Sequence, residues 1–240
     1  MFYLLSLLIL GILILIHEAG HLLAAKWVGI PISRFSIGFG SKIWSFQKNE
    51  TEYRISLLPL GGYVMPKLED EFEFFAIPSY KRIIFAIAGP LANLAACVFL
   101  FAVLNLTTTG FSFLNIFVYP FAQTFAAIII FLKAVPSIIS QPEAMSGLPS
   151  IIVEGGNFIQ SGFANIIQFA VFFNINLAVL NMLPILPLDG GKVLLYFLEG
   201  FSKKSLRLQA PLSAFGWLAM IGFMIYVNAR DTINYLLKFV

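Results

Sequence analysis

The chain has 240 residues, and 11% are charged against about 25% in a soluble globular chain, with 59% hydrophobic, so a water-soluble domain is excluded and a polytopic membrane protein expected. The formal net charge is only +3, and the basic residues lie in loops between apolar runs. That distribution excludes a nucleic-acid partner and reports orientation in a lipid bilayer instead. The length fits one compact unit rather than two.

A helix needs about 20 apolar residues to cross a bilayer. The first such run, residues 3–25, has no basic stretch ahead of it and leads directly into ionisable residues, so it reads as a retained span and not a cleaved signal peptide. Near its far end stands His17-Glu18-Ala19-Gly20-His21, which holds the only two histidines of the chain. Four residues apart on a helix, they share a face. In an HExxH arrangement two imidazoles hold zinc from one helical face, and the glutamate takes a proton from the attacking water. The plainer alternative is two packing histidines and a surface glutamate. It fits poorly after the apolar run Leu4–Ile16, because a charged group near the bilayer centre costs about 2.5–3.5 kcal/mol on insertion scales.

Residues 30–65 carry strand periodicity. Tyr53, Ile55 and Leu57 alternate with Glu52, Arg54 and Ser56, Phe35–Gly40 alternates similarly, and Gly61-Gly62 is a turn signal. This predicts a membrane-associated β-hairpin over 32–65. A second span is expected at 82–106, with the single cysteine, Cys97, as a packing residue inside it. The stretch 113–139 is apolar but holds Pro120, Lys133 and Pro136. The third and fourth spans are expected at 163–183 and 211–229.

Basic residues orient these spans. Lys26, Arg34, Lys42, Lys48, Arg54, Lys67, Lys81 and Arg82 crowd 22–82, and Lys192, Lys203, Lys204 and Arg207 crowd 190–210, whereas 107–165 has only Lys133 and the C-terminal tail only Arg230 and Lys238. The two crowded segments face the cytoplasm by the positive-inside rule. Span two then exits and span three returns, so 113–139 crosses an even number of times and reads as an interfacial or re-entrant element on the outer side. The expected fold is a mostly α membrane helix bundle of about four spans, with the hairpin and this interfacial helix.

A catalytic zinc usually has three protein ligands and an open position. Glu50, Glu52, Glu69, Asp70, Glu71 and Glu73 lie in a polar loop and read as a solvated face. Asp189 differs. It ends the run Asn181-Met-Leu-Pro184-Ile-Leu-Pro187-Leu-Asp189 and precedes Gly190-Gly191, on the membrane side of His17 and His21. The prolines break the helix and the glycines permit a sharp turn. By spacing alone, Asp189 is either a ligand on unwound backbone or a helix-cap aspartate. Lys192, which follows the glycines, has no role in either reading.

The pairing of His17-Glu18-Ala-Gly-His21 with Asn181-Met-Leu-Pro184-Ile-Leu-Pro-Leu-Asp189-Gly190 resembles the site-2 protease family of intramembrane metalloproteases, closest to its bacterial regulator-of-sigma-E branch. Phe35–Gly40, Thr51–Tyr53, Pro59–Val64, Ala88–Asn93 and Met145–Gly147 agree with it. The resemblance covers most of the chain apart from 107–140. It implies His17, His21 and Asp189 as zinc ligands, Glu18 as general acid and base, and Asn181 and Asn93 in substrate binding. For Asn93, an interhelical hydrogen bond is an equal alternative. It implies single-span membrane proteins as substrates, such as anti-sigma factors or remnant signal peptides, an inner-membrane location, and a hairpin that pairs with extended substrate. The bacterial branch usually carries PDZ domains between spans two and three, and the interval 107–162 has no room for one. The competing reading is a membrane metal carrier without protease activity. Against it, no second cluster of ionisable residues marks a path across the membrane.

Overall fold

The structure, a computed structural model, describes residues 1–67, 71–141, 145–201 and 208–237. Glu69 and Asp70 of the acidic loop, and Lys203, Lys204, Arg207 and Lys238 of the charge pattern, lie outside the described residues.

Helix α1 spans Phe2–Val28 and stops at Gly29, whose φ of 76° is a left-handed cap that glycine adopts without a Cβ penalty. Strands β1 (Ile32–Lys48) and β2 (Thr51–Pro66) follow. They are joined through Asn49 and Glu50, both at positive φ as a two-residue hairpin turn requires. The expected hairpin is therefore present, and it is broader than two simple strands. Phe35 lies opposite both Val64 and Tyr53, and Ile37 opposite both Gly62 and Ile55. Among the described residues, 62–66 are paired on one side only, against 32–37.

Helices α2 (Glu71–Ala76), α3 (Ser79–Thr109), α4 (Phe113–Phe117), α5 (Tyr119–Ser140), α6 (Leu148–Ile159), α7 (Phe163–Asn181), α8 (Asp189–Glu199) and α9 (Gln209–Leu237) complete the described chain. Among described residues, α1, α3, α5, α7 and α9 are long and apolar enough to cross a bilayer. Beyond the four spans expected, α5 also reaches this length, within the stretch read as interfacial or re-entrant. Pro120 falls in its first turn, where a missing N–H costs nothing, and Pro136 in its last turns. Neither proline interrupts it.

The core forms where α1, α3 and α7 meet. Gly20 of α1 crosses α3 so closely that a Cβ there would lie 2.6 Å from the Ala92 Cβ, the close approach that small residues permit between membrane helices. Cys97 packs with Phe131, Ile167, Val171, Ile175 and Val179, and Ile9 and Leu13 pack with Ile159, Phe169 and Ala170. The chain leaves helical form after Asn181, passes Pro184 and Pro187, and resumes it at Asp189. Gly191 fits against the backbone of Ile185 and Leu186, with a Cβ 2.5 Å from both. This folds the proline segment onto the first turn of α8.

Candidate active site

His17 and His21 are one helical turn apart on α1 and both are buried, as is Asp189 at the start of α8. Their outer nitrogens decide their chemistry. His21 Nδ1 lies 2.7 Å from the carbonyl of Phe85. A carbonyl only accepts, so Nδ1 carries the proton. His17 Nδ1 lies 2.7 Å from Asn93 Oδ1. Asn93 is held in that orientation because its Nδ2 donates to the Leu13 carbonyl at 3.3 Å and to Asn174 Oδ1 at 2.6 Å. His17 therefore donates from Nδ1 as well.

In the neutral tautomer that these contacts select, both Nε2 atoms present lone pairs inward. They are 3.2 Å apart, and each is 3.1 Å from Asp189 Oδ2. Two neutral imidazoles and a carboxylate at that spacing share no proton and call for a cation among them. Charging both imidazoles instead would set two buried cations side by side, at high desolvation cost. The edge of a tetrahedral site with zinc–nitrogen bonds of about 2.0–2.1 Å is roughly 3.3 Å, which this triangle fits. Helix α3 passes the triangle at Gly89, where a Cβ would stand 2.7 Å from His17 Nε2 and closer still to His21 Nε2. Any other residue would crowd the donors.

The profile of peptidase family M50 matches residues 5–227. The chain belongs to this family. Zinc is the metal that its donor set and relatives share. A candidate zinc metalloprotease of Chlamydia trachomatis is 42% identical over 120 residues, which cover 43% of this chain and 19% of the relative. Zinc metalloprotease RasP of Geobacillus kaustophilus is 56% identical over 62 residues, 26% of this chain and 15% of that protein. A candidate zinc metalloprotease of Synechocystis is 25% identical over 343 aligned positions, covering 94% of this chain and 93% of the relative. The first relatives it matches are thus spanned over only about a fifth of their length.

The other expected residues of this M50 chain lie in different surroundings. Glu18 is half-buried beside His17 and faces β2, where a Cβ on Gly62 would lie 2.7 Å from Glu18 Cγ. Asn181 ends α7, half-buried. Asn93 is fully buried, and both its amide groups are engaged. Asp189 does not cap its helix, since Leu188 is the N-cap residue and no side-chain cap bond is formed. Burial opposes ionisation of Asp189, and the Lys192 ammonium at its Oδ1 favours the charged form.

Four features escaped the sequence reading: the Asn174 partner of Asn93, the Phe85 carbonyl, the room left by Gly89, and a clamp at Arg82. Arg82 entered only as an orienting charge. It is fully buried, donates to Glu199 at the end of α8, and lies 4.6 Å over the Tyr196 ring. The clamp ties α8, which carries Asp189, to the first turn of α3, which carries Gly89 and Asn93. Asn174 had one signal, an amide inside an apolar span, but Asn165, Gln168 and Asn176 share that signal.

Proposed function

We propose that the chain is an intramembrane zinc metalloendopeptidase that hydrolyses peptide bonds in or near the transmembrane segments of single-span membrane proteins, anti-sigma factors or remnant signal peptides among them. The observation that carries this is the triangle of His17 Nε2, His21 Nε2 and Asp189 Oδ2 with Glu18 adjacent on α1. His17, His21 and Asp189 would hold a zinc ion, which would supply Lewis acidity and make a water more acidic. Glu18 takes the proton of the attacking water and returns it to the leaving amine. Asn93 positions His17 from behind rather than touching substrate, because its groups are already taken. Asn181, at the mouth of the proline segment, is free to bind the substrate backbone.

A transmembrane helix hides its carbonyls in internal hydrogen bonds, so the substrate must be extended before attack. Residues 62–66 of β2 are supported by β1 on one side and pass Glu18 at Gly62. An extended substrate pairs along their other edge, in the manner of strand addition. Lys26 at the end of α1 and the basic residues of β1 and β2 set this face toward the cytoplasm of a bacterial inner membrane.

Helix α5 fits a re-entrant role. It starts at the end of α3 where Asn105 and Gln123 exchange hydrogen bonds. The next helix, α6, lies against the start of α1 through Tyr3–Asn157 and Ser6–Ile152. Both sit at the same end of the bundle, which supports a re-entrant path for α5.

Purified Glu18→Gln is expected to keep stoichiometric zinc and lose cleavage of a model single-span substrate. Normal cutting by that variant sinks the mechanism. A metal carrier finds no support among the described residues, which hold one cluster able to bind a metal, His17, His21 and Asp189.

A further inference from the structure

Lys192 stands outside the HExxH and proline motifs, and its surroundings give it work. Gly190 and Gly191 are pressed against the backbone of residues 182–186 and carry no side chain. Lys192 is therefore the first side chain after Asp189 on α8, three residues on and over the same face. Its Nζ donates to Asp189 Oδ1 at 3.0 Å. The other oxygen, Oδ2, is the one turned to His17 and His21. Among the described residues, no other hydrogen bond reaches Oδ1. The carboxylate is thus split between two tasks, one oxygen inward and one held outward by an ammonium.

We infer that Lys192 is a positioning residue that makes Asp189 a one-oxygen ligand and so keeps a coordination position open for water. A carboxylate binds zinc through one oxygen or through both, and a second bond from Oδ1 would take the place that water needs. Two imidazoles and one carboxylate oxygen leave the fourth tetrahedral position free. A hydrogen bond to the outer oxygen favours that state, as partners behind metal ligands do. Lys192 is partly exposed, with 39% of its side chain accessible, so removing its charge leaves the core packing in place. The inference rests on the zinc peptidase reading.

The test uses the full chain in detergent, loaded with cobalt(II) as a spectroscopic substitute for zinc, in three forms: wild type, Lys192→Met and Lys192→Arg. The wild type is expected to show the intense visible bands of four-coordinate cobalt. Lys192→Met is expected to show weaker bands of higher coordination, and to release metal to a competing chelator at a changed concentration. In its zinc form kcat falls roughly 10–100-fold with KM nearly unchanged, and Lys192→Arg recovers the wild-type spectrum. Identical spectra and kcat in Lys192→Met and wild type overturn the role of Lys192 while leaving the peptidase reading intact. A wild type that takes up no cobalt and cuts no substrate overturns both.

Discussion

Helices α7 and α9 are both apolar and both long enough to cross a membrane, yet they are held in opposite ways. In α7 44% of the most apolar window is buried, in α9 6%. Helix α7 sits against α1, α3 and α5 and sends Asn174 into the network behind His17. Helix α9 is anchored locally. Gly216 fits against Leu186 and Pro187, just before Asp189, and Asn228 and Asp231 cap the start of α6. The lesson is that hydropathy measures fitness for lipid, whereas the polar side chains within a span decide what it does. A span that carries the site's support is buried on several faces, and one that encloses the site meets lipid almost all round.

That contrast can be broken most severely at the core. Gly89→Ala puts a carbon among the donor nitrogens. Its zinc content, read by metal analysis, is expected to vanish, with activity down roughly a thousandfold, the several kcal/mol that a zinc Lewis acid contributes. Retained zinc would show that the triangle has room the structure denies.

Asn174→Ala removes the acceptor that orients Asn93. It is expected to cost roughly 10–100-fold in zinc affinity or activity. Asn176→Ala serves as control, since among the described residues its amide bonds only to the Phe172 carbonyl one turn back on the same helix. Equal losses in chelator competition would mean that the amide network behind His17 has no function.

On α9, Asp231→Ala strips the hydrogen bonds donated by the Gly147 amide and the Ser150 hydroxyl at the start of α6, and those from Arg230. A loss of about 1–3 kcal/mol is expected for the buried donors left behind, read as earlier thermal unfolding in detergent, with zinc content unchanged. Zinc loss in this variant would tie α9 to the metal site and erase the contrast. The smallest effect is expected on the lipid-facing side of α9. Phe215→Ala and Leu218→Ala, at residues 73% and 72% exposed, should change stability by no more than about 0.5 kcal/mol in the same melts.

Much of the site was legible because its signals are local. His17, Glu18 and His21 are neighbours on one helix, and their position after an apolar run marks them as costly and therefore employed. Asp189 was legible only as one of two readings. Its carboxylate reaches the two histidines because α8 starts beside α1, held by the Arg82–Glu199 clamp and by glycines at 190 and 191 that let the proline segment fold back. The hairpin was visible from alternation, but its extra breadth was not, since Phe35 gains two partners through bulges that no period-2 pattern encodes. The path of α5 was obscured by Pro120 and Pro136, which look like breakers in a row of letters and fall where a helix tolerates them.

By itself the sequence determined that this chain lives in a bilayer, that its first span carries a two-histidine metal motif, and that most basic residues gather in two loop segments. These follow from apolar length, helical spacing and charge placement, which are properties of segments. The tertiary structure alone decided which nitrogen of each histidine faces inward, which oxygen of Asp189 joins them, and that Asn93, Asn174, Gly89 and Lys192 gather around the same centre. Those are relations between helices distant in sequence, set by close crossings at glycines and by buried polar groups that must find partners once water is excluded.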